Sequence, residues 1–464
     1  MTKPWYITDI LTVPAVGAYY YEDIAALQAH PMSRSNAYQA TAVTPGFREV
    51  REVAEAVSVG LVLNGRTTAW GDCVAVCYSG RAGRDPVFRT EEGLATIRRA
   101  VTPALQGREV TTFRELASEV DALVESVEVS RPLPQRKAGL DRKEWSRRDL
   151  LTAPIQLWRE AVQDEKVTTE WVTVQRPLHT AVRYGVSQGL LRAVALARGI
   201  TMAEVIAEEW DLPLPHEPVP IHAQCGADRY AGADTMIVRR VASLPHTLVD
   251  NVPEQLGEDG TRLTQYARWL KQRIQELGGA DYCPTIHLDV HGAIGQIFEN
   301  DLGRVLGQLY ALNLAVQPYS LRVESPVIME SRQAQIEAMK TLRDYVRLRK
   351  INVQLVVDEW ANTLDDIKAF VDAQAADMIQ IKMPDLGSVH NSIEAVLVCE
   401  AAGMGTLLGG SCAETNLSAR VAAHLALATR PDIIMAKPGM GVDESITLVQ
   451  NEMTRTLAQI GVRA

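Results

Sequence analysis

The chain has 464 residues, 47% hydrophobic and 22% charged, which excludes a disordered or low-complexity protein and leaves room for one large domain beside a smaller one. A formal net charge of -10 disfavours non-specific attachment to nucleic acid or to an anionic membrane, and no run of 18 apolar residues offers a membrane span. The opening "MTKPWYITDILTVPAVG" has no basic segment followed by an apolar core, and six scattered cysteines suit a reduced compartment, so a cytoplasmic protein is expected.

The first half carries few regular signals. "CVAVC", from Cys73 to Cys77, has strand-like composition and reads as small buried thiols. "SGRAGRD" is glycine-rich but lacks the Gly-Lys-Ser/Thr ending of a phosphate loop. Residues 130 to 149, "SRPLPQRKAGLDRKEWSRRD", hold seven basic and three acidic side chains and read as part of a solvated insertion spanning about 130–172. From about residue 219 a rhythm begins. "VPIHAQCG", "TIHLDV", "YSLRVES", "VQLVVDEW", "MIQIKMP", "GTLLGGS" and "IIMAKPG" are apolar strands with polar ends. Helix-like segments such as "TRLTQYARWLKQRIQEL" and "ESRQAQIEAMKTLRDYVRLR" lie between them. Alternation of strand and helix implies parallel strands with crossover helices. Polar strand-end positions 289, 324, 358, 382 and 411 follow one another at 35, 34, 24 and 29 residues, and eight units of roughly 31 residues fill the ~250 of a (β/α)8 barrel. A doubly wound open sheet is the alternative, but no glycine-rich dinucleotide turn follows an early strand. The expected organisation is an N-terminal α+β capping domain over residues 1–215 and a barrel over 216–464.

Side chains alternate along a strand, so each strand end can be sorted into two faces. One face carries His222 with Gln224, His287 with Asp289, Arg322 with Glu324, Gln354 with Asp358, and Gln380 with Lys382. The other is apolar throughout: Ile286 and Leu288, Leu355 and Val357, Ile379 and Ile381. In a barrel the apolar face meets the outer helices and the polar face converges at the C-terminal mouth. A lysine such as Lys382 is seldom buried without a partner, and here three carboxylates share its cavity. Asp289, Glu324 and Asp358 come from successive strands and would repel one another unless a cation sat between them. Oxygen donors without cysteine suit Mg²⁺. A nearby dication would also depress the lysine pKa towards that of a general base.

The stretches "GDCVAVCYSGRAGRDP", "LHTAVRYGVSQGLL", "AQCGADRY", "LPHTLVDNV", "HLDVHGAIG", "LRVESP", "VVDEWANT", "QIKMPDLG", "GGSCAETN" and "AKPGMGVDE" together resemble the methylaspartate ammonia-lyase family of the enolase superfamily. The resemblance spans nearly the whole chain except about 130–172. It implies a Mg²⁺-dependent carbon–nitrogen lyase that eliminates ammonia from L-threo-3-methylaspartate, or a close and larger analogue, to give mesaconate. It makes Asp289, Glu324 and Asp358 the metal ligands, Lys382 the base at C3, and His246 the group serving the opposite face. Gln224, Gln380, Ser411 and Cys412 hold the substrate carboxylates, and "SGRAGRD" becomes a cap loop closing over the mouth. A homodimer acting on a small amino acid, with a monovalent cation such as K⁺ as activator, is also implied.

This chain departs from the family pattern around the substrate. Ser411 replaces a threonine, His222 and Leu407 stand where aromatic residues are usual, and Met435 replaces a leucine. These changes reshape the pocket without touching the metal or the base. An epimerase or dehydratase using the same bases is the enzyme alternative; a non-catalytic barrel scaffold is the other.

Overall fold

The computed structural model describes residues 4–30, 32, 34–132, 169–225, 228–437 and 439–463. They fall into two compact units, one comprising Met1–Leu123 with Leu178–Ala464 and the other Val124–Pro177.

In the larger unit the chain begins with a three-stranded antiparallel sheet, β1 (Ile7–Glu22), β2 (Arg51–Leu63) and β3 (Thr67–Cys73). The helix Phe113–Asp121 shows the spacing of an amphipathic segment, burying Phe113, Leu116, Ala117 and Val120, and Thr112 caps its start by accepting from the Glu115 N–H. The helix Thr180–Arg198 lies on the sheet and is buried along most of its length. Glycines allow that approach: a Cβ on Gly71 would sit 2.1 Å from the Gly185 carbonyl oxygen, and one on Gly185 would sit 2.4 Å from the Cys73 nitrogen.

The rest of this unit is the barrel expected from the strand–helix rhythm. Eight parallel strands close in chain order: β6 (Ile221–His222), β7 (Ser243–His246), β8 (Thr285–Asp289), β9 (Leu321–Glu324), β10 (Val353–Val357), β11 (Met378–Lys382), β12 (Gly405–Gly409) and β13 (Ile433–Met435). Ile286, Leu288, Val323, Leu355, Ile379 and Ile381 are buried and belong to one continuous apolar core. Several helices between the strands start at side-chain caps, among them Asp301 and Ser331, with capping boxes at Thr363 and Thr415. Register then fixes the mouth: Asp289 lies opposite Glu324, Glu324 opposite Val356, and Lys382 opposite Gly409. Strand β7 carries no sequence signal of its own, having four residues with a proline among them.

The smaller unit is an antiparallel pair, β4 (Val124–Pro132) and β5 (Thr169–Pro177), with Glu125 accepting from Arg176 at 3.0 Å. These strands are the flanks of the expected insertion. Its residues 133–168, including Trp145 and Trp158, lie outside the described residues; Trp171, on β5, is exposed.

The glycine contact yields a stability prediction. Gly185→Ala should lower the free energy of unfolding by about 1–3 kcal/mol, because the helix must move off β3 or crowd its backbone. Chemical denaturation of the variant beside the parent measures this, and an unchanged midpoint would disprove the close-packing argument.

Candidate active site at the barrel mouth

Strand ends β8 and β9 and the residue after β10 bring Asp289, Glu324 and Asp358 together, all three buried. Asp289 Oδ1 accepts the His291 backbone N–H at 3.0 Å. Glu324, fully enclosed, is gripped by His287 Nε2 at 2.8 Å from its Oε2 and by Gln380 Nε2, which donates to Oε1. Lys382 at the end of β11 places Nζ 2.5 Å from Asp358 Oδ2. Across the same cavity His246, at the end of β7, holds Nε2 3.4 Å from Asp289 Oδ2. His246 and Thr247 have φ of +69° and +44°, a strained backbone for residues with a Cβ, held at the point where β7 turns into the mouth.

The N-terminal sheet supplies part of the wall. Val76, Cys77, Tyr78 and Arg84 line the cavity beside Gln224, Leu248, Gln380, Ser411, Cys412 and Met435. The Cys77 N–H donates to Ser411 Oγ at 3.0 Å, tying the loop after β3 to the loop after β12. Arg84 donates from Nε to Asp385 at 2.8 Å and reaches Asp358 Oδ1 at 3.5 Å. "SGRAGRD" therefore does meet the barrel mouth. The cavity is about 30 Å³, room for only one or two waters. Tyr78 also borders two larger pockets, and its hydroxyl has no hydrogen-bond partner among the described residues.

His222 and Leu407, expected against the substrate, are fully buried and do not line this cavity. His222 stands behind His246, and Leu407 packs with Val356, Met378, Ile433 and Met435. Arg322 and Gln354 share the inward face by alternation but bond each other at 3.0 Å, with Gln354 exposed, and take no part at the mouth. Sequence reasoning passed over Tyr78, Arg84, His291 and Glu359. His291 and Glu359 form a buried pair at 2.9 Å, with Ser325 donating to Glu359. Neither lies on a strand, so no alternation could have flagged them.

Electrostatics follow from this crowding. Burial, then the charges of Asp289 and Asp358, push the Glu324 carboxyl well above its ordinary range. Burial raises Asp358 to about 6 despite the ammonium beside it, and Glu359 adds to the rise. Burial would lower Lys382, but Asp358 outweighs it and the amine is pushed up to about 12. Burial opposes the charge on both His291 and Glu359, yet each holds the other ionised: the histidine is raised and the glutamate falls well below its usual value. A divalent cation fits here. His246, Asp289 and Glu324 offer ligand atoms within 4.8 Å of one another, and Asp358 Oδ1 is buried without a hydrogen-bond partner among the described residues. Asp358 is thus what holds Lys382 protonated, and a dication on that carboxylate would lower the lysine.

A (β/α)8 barrel with acidic strand ends and two basic groups around one cavity has the architecture of a barrel enzyme, and its fold is shared at TM-score 0.56 and 14% identity with muconate cycloisomerase from Pseudomonas fluorescens. The family described as Methylaspartate ammonia-lyase C-terminus matches residues 213–462, and its N-terminus counterpart matches 5–134 and 147–211. Methylaspartate ammonia-lyase 2 of Carboxydothermus hydrogenoformans is 43% identical over 452 residues, covering 97% of this chain and 98% of its own. The methylaspartate ammonia lyase of Citrobacter amalonaticus containing (2S,3S)-3-methylaspartic acid superposes with TM-score 0.83 at 37% identity, over 98% of this chain and all of the other. The Mg-complex of β-methylaspartase from Clostridium tetanomorphum does so with TM-score 0.80 at 38% identity, over 99% and 100%. The chain belongs to the methylaspartate ammonia-lyase family.

The raised carboxyls predict how a cation acts on stability. A carboxyl whose folded pKa is raised contributes stability that is complete below about pH 4 and is lost as pH rises through its folded value, about 6 for Asp358, with Glu324 also raised well above its ordinary range. In EDTA this contribution should therefore fall between pH 5 and 8, and added divalent cation should raise the melting temperature more at pH 8 than at pH 5. Melting curves at both pH values test this; an equal shift at both would show that the carboxyls are not strained by their neighbours.

Proposed function

We propose that the protein catalyses Mg²⁺-dependent elimination of ammonia from L-threo-3-methylaspartate, giving mesaconate. The observation carrying this reading is the pairing of Lys382 and His246 on one small cavity with Asp289 and Asp358 on its wall and Glu324 buried next to Asp289. Residues 1–215 act as the cap and 216–464 as the catalytic barrel. Two relatives support the ligands: one solved structure holds (2S,3S)-3-methylaspartic acid and another is a Mg complex.

In this reading Asp289, Glu324 and Asp358 hold the cation, which when bound neutralises them and stabilises negative charge on the substrate carboxylate as C3 loses its proton. Lys382 is the base for the threo substrate. It must give up its proton first, and it can do so once Asp358 no longer stabilises the ammonium. Arg84 limits how far Asp358 can follow the lysine, since it contacts the other oxygen of that carboxylate. Gln224, Gln380, Ser411 and Cys412 orient the substrate carboxylates, with Met435 against its apolar edge. His246 faces the opposite side of C3 and serves the erythro diastereomer. Cap closure excludes water from the developing charge.

Each role has a separable outcome. Lys382→Ala should reduce threo turnover at least ~100-fold while leaving Mg²⁺ affinity within a few-fold, since it removes a base and not a ligand. Steady-state absorbance of the unsaturated diacid and calorimetric Mg²⁺ titration measure the two, and residual activity above a few per cent would exclude Lys382 as the base. Glu324→Gln should instead weaken Mg²⁺ binding and turnover together, and activity surviving in EDTA would refute the metal requirement. His246→Ala should lower erythro turnover more than threo turnover. Equal losses would leave His246 an orienting group only.

A further inference from the structure

Beside the cavity three imidazoles cluster inside the barrel, from β6, β7 and β8. His222 and His246 rings lie 5.2 Å apart, His222 and His287 4.5 Å, and His246 and His287 5.6 Å. Each residue offers a nitrogen within 4.8 Å of the others, and all three are buried.

The outer nitrogens are already engaged. His222 Nδ1 is 3.0 Å from Ser243 Oγ, His287 Nε2 is 2.8 Å from Glu324 Oε2, and His246 Nε2 is 3.4 Å from Asp289 Oδ2. Imidazoles that bind metals have this arrangement, one ring nitrogen anchored to a hydroxyl or carboxylate and the other free to coordinate. The other ring nitrogens fit that part. His287 Nδ1 is buried and has no hydrogen-bond partner among the described residues. His222 Nε2 and His246 Nδ1 are 3.1 Å apart. Two nitrogens at that separation both reach one ion at about 2.05 Å with an angle of roughly 100° between them, close to tetrahedral.

We infer that His222, His246 and His287 form a second metal site, for an imidazole-preferring ion of the zinc type, distinct from the carboxylate set that suits a hard cation. Three histidines leave a fourth position, and because His246 reaches the cavity, a water from that side completes the tetrahedron. Binding needs no net loss of protons. The proton that His246 Nδ1 donates to His222 Nε2 moves to His246 Nε2, where Asp289 accepts it. His222 keeps its proton on Nδ1 towards Ser243, and His287 keeps its own on Nε2 towards Glu324. The site depends on His222, the position where the family pattern has an aromatic ring unable to ligate.

The test uses the full chain with saturating Mg²⁺ throughout, titrated with Zn²⁺ in competition with a chromophoric chelator. One Zn²⁺ per chain should bind at micromolar or tighter dissociation constant and remain after desalting, as counted by elemental analysis. His222→Phe and His222→Gln should each weaken it at least tenfold while Mg²⁺ binding stays in place. No retained Zn²⁺ would overturn the site and leave the contact between His222 and His246 an ordinary hydrogen bond. Parental Zn²⁺ affinity in both variants would also overturn it, placing the ion on the carboxylates. Should either variant misfold by circular dichroism, Co²⁺ added to the parent decides: an intense visible band marks tetrahedral nitrogen ligation, and a weak octahedral spectrum refutes it. These readouts are independent of elimination activity, so failure here and failure of the proposed reaction are separately visible.

Discussion

Three buried carboxylates forced to share one small volume are the constraint around which the mouth is organised. Each would be more stable in water, and each raises the cost of ionising its neighbours, as the upward displacement of Glu324 and Asp358 records. Surrounding cations and neutral hydrogen-bond donors answer that repulsion. Lys382 sits against one oxygen of Asp358 and Arg84 against the other, while His287 and Gln380 donate to Glu324. A divalent cation would complete the compensation, and it would also release the lysine from the carboxylate that holds its proton. On the proposed reading, the same charges would set both the affinity for metal and the readiness of the base.

That arrangement explains why the N-terminal segment belongs to the chemistry and is not merely attached to it. Arg84 comes from the loop after β3, yet its partners Asp358 and Asp385 lie in the barrel. Cys77 bonds through its backbone to Ser411, and Asn362 donates back to the Ala82 carbonyl at 2.5 Å. With these contacts made, the cavity has room for only one or two waters. On the proposed reading, a shift of this loop to admit substrate would also change the electrostatics of Asp358.

Much of this was legible in the residues because a β-strand imposes a two-residue period. Alternation alone put Asp289, Glu324, Gln380 and Lys382 on the inward face, and their strand-end positions put them at one end of a barrel. The same rule also placed Arg322 and Gln354 inward, where they bond each other away from the mouth, because face is periodic but depth along the barrel is not. Strand β7 escaped notice since four residues with a proline carry no period, although the motif around His246 was visible. His222 was expected to touch substrate and instead stands behind His246, one layer further from the cavity.

What the sequence by itself determined was the barrel, the face each strand turns inward and the acidic and basic groups on that face, because these follow from local periodicity and side-chain chemistry. Only the tertiary structure decided which groups meet: Arg84 with Asp358 across 274 residues of chain, His291 with Glu359, and three histidines from three strands in one cluster. Such pairings depend on strand register and on where loops fold back, and neither leaves a repeat in the order of residues that a linear reading can detect.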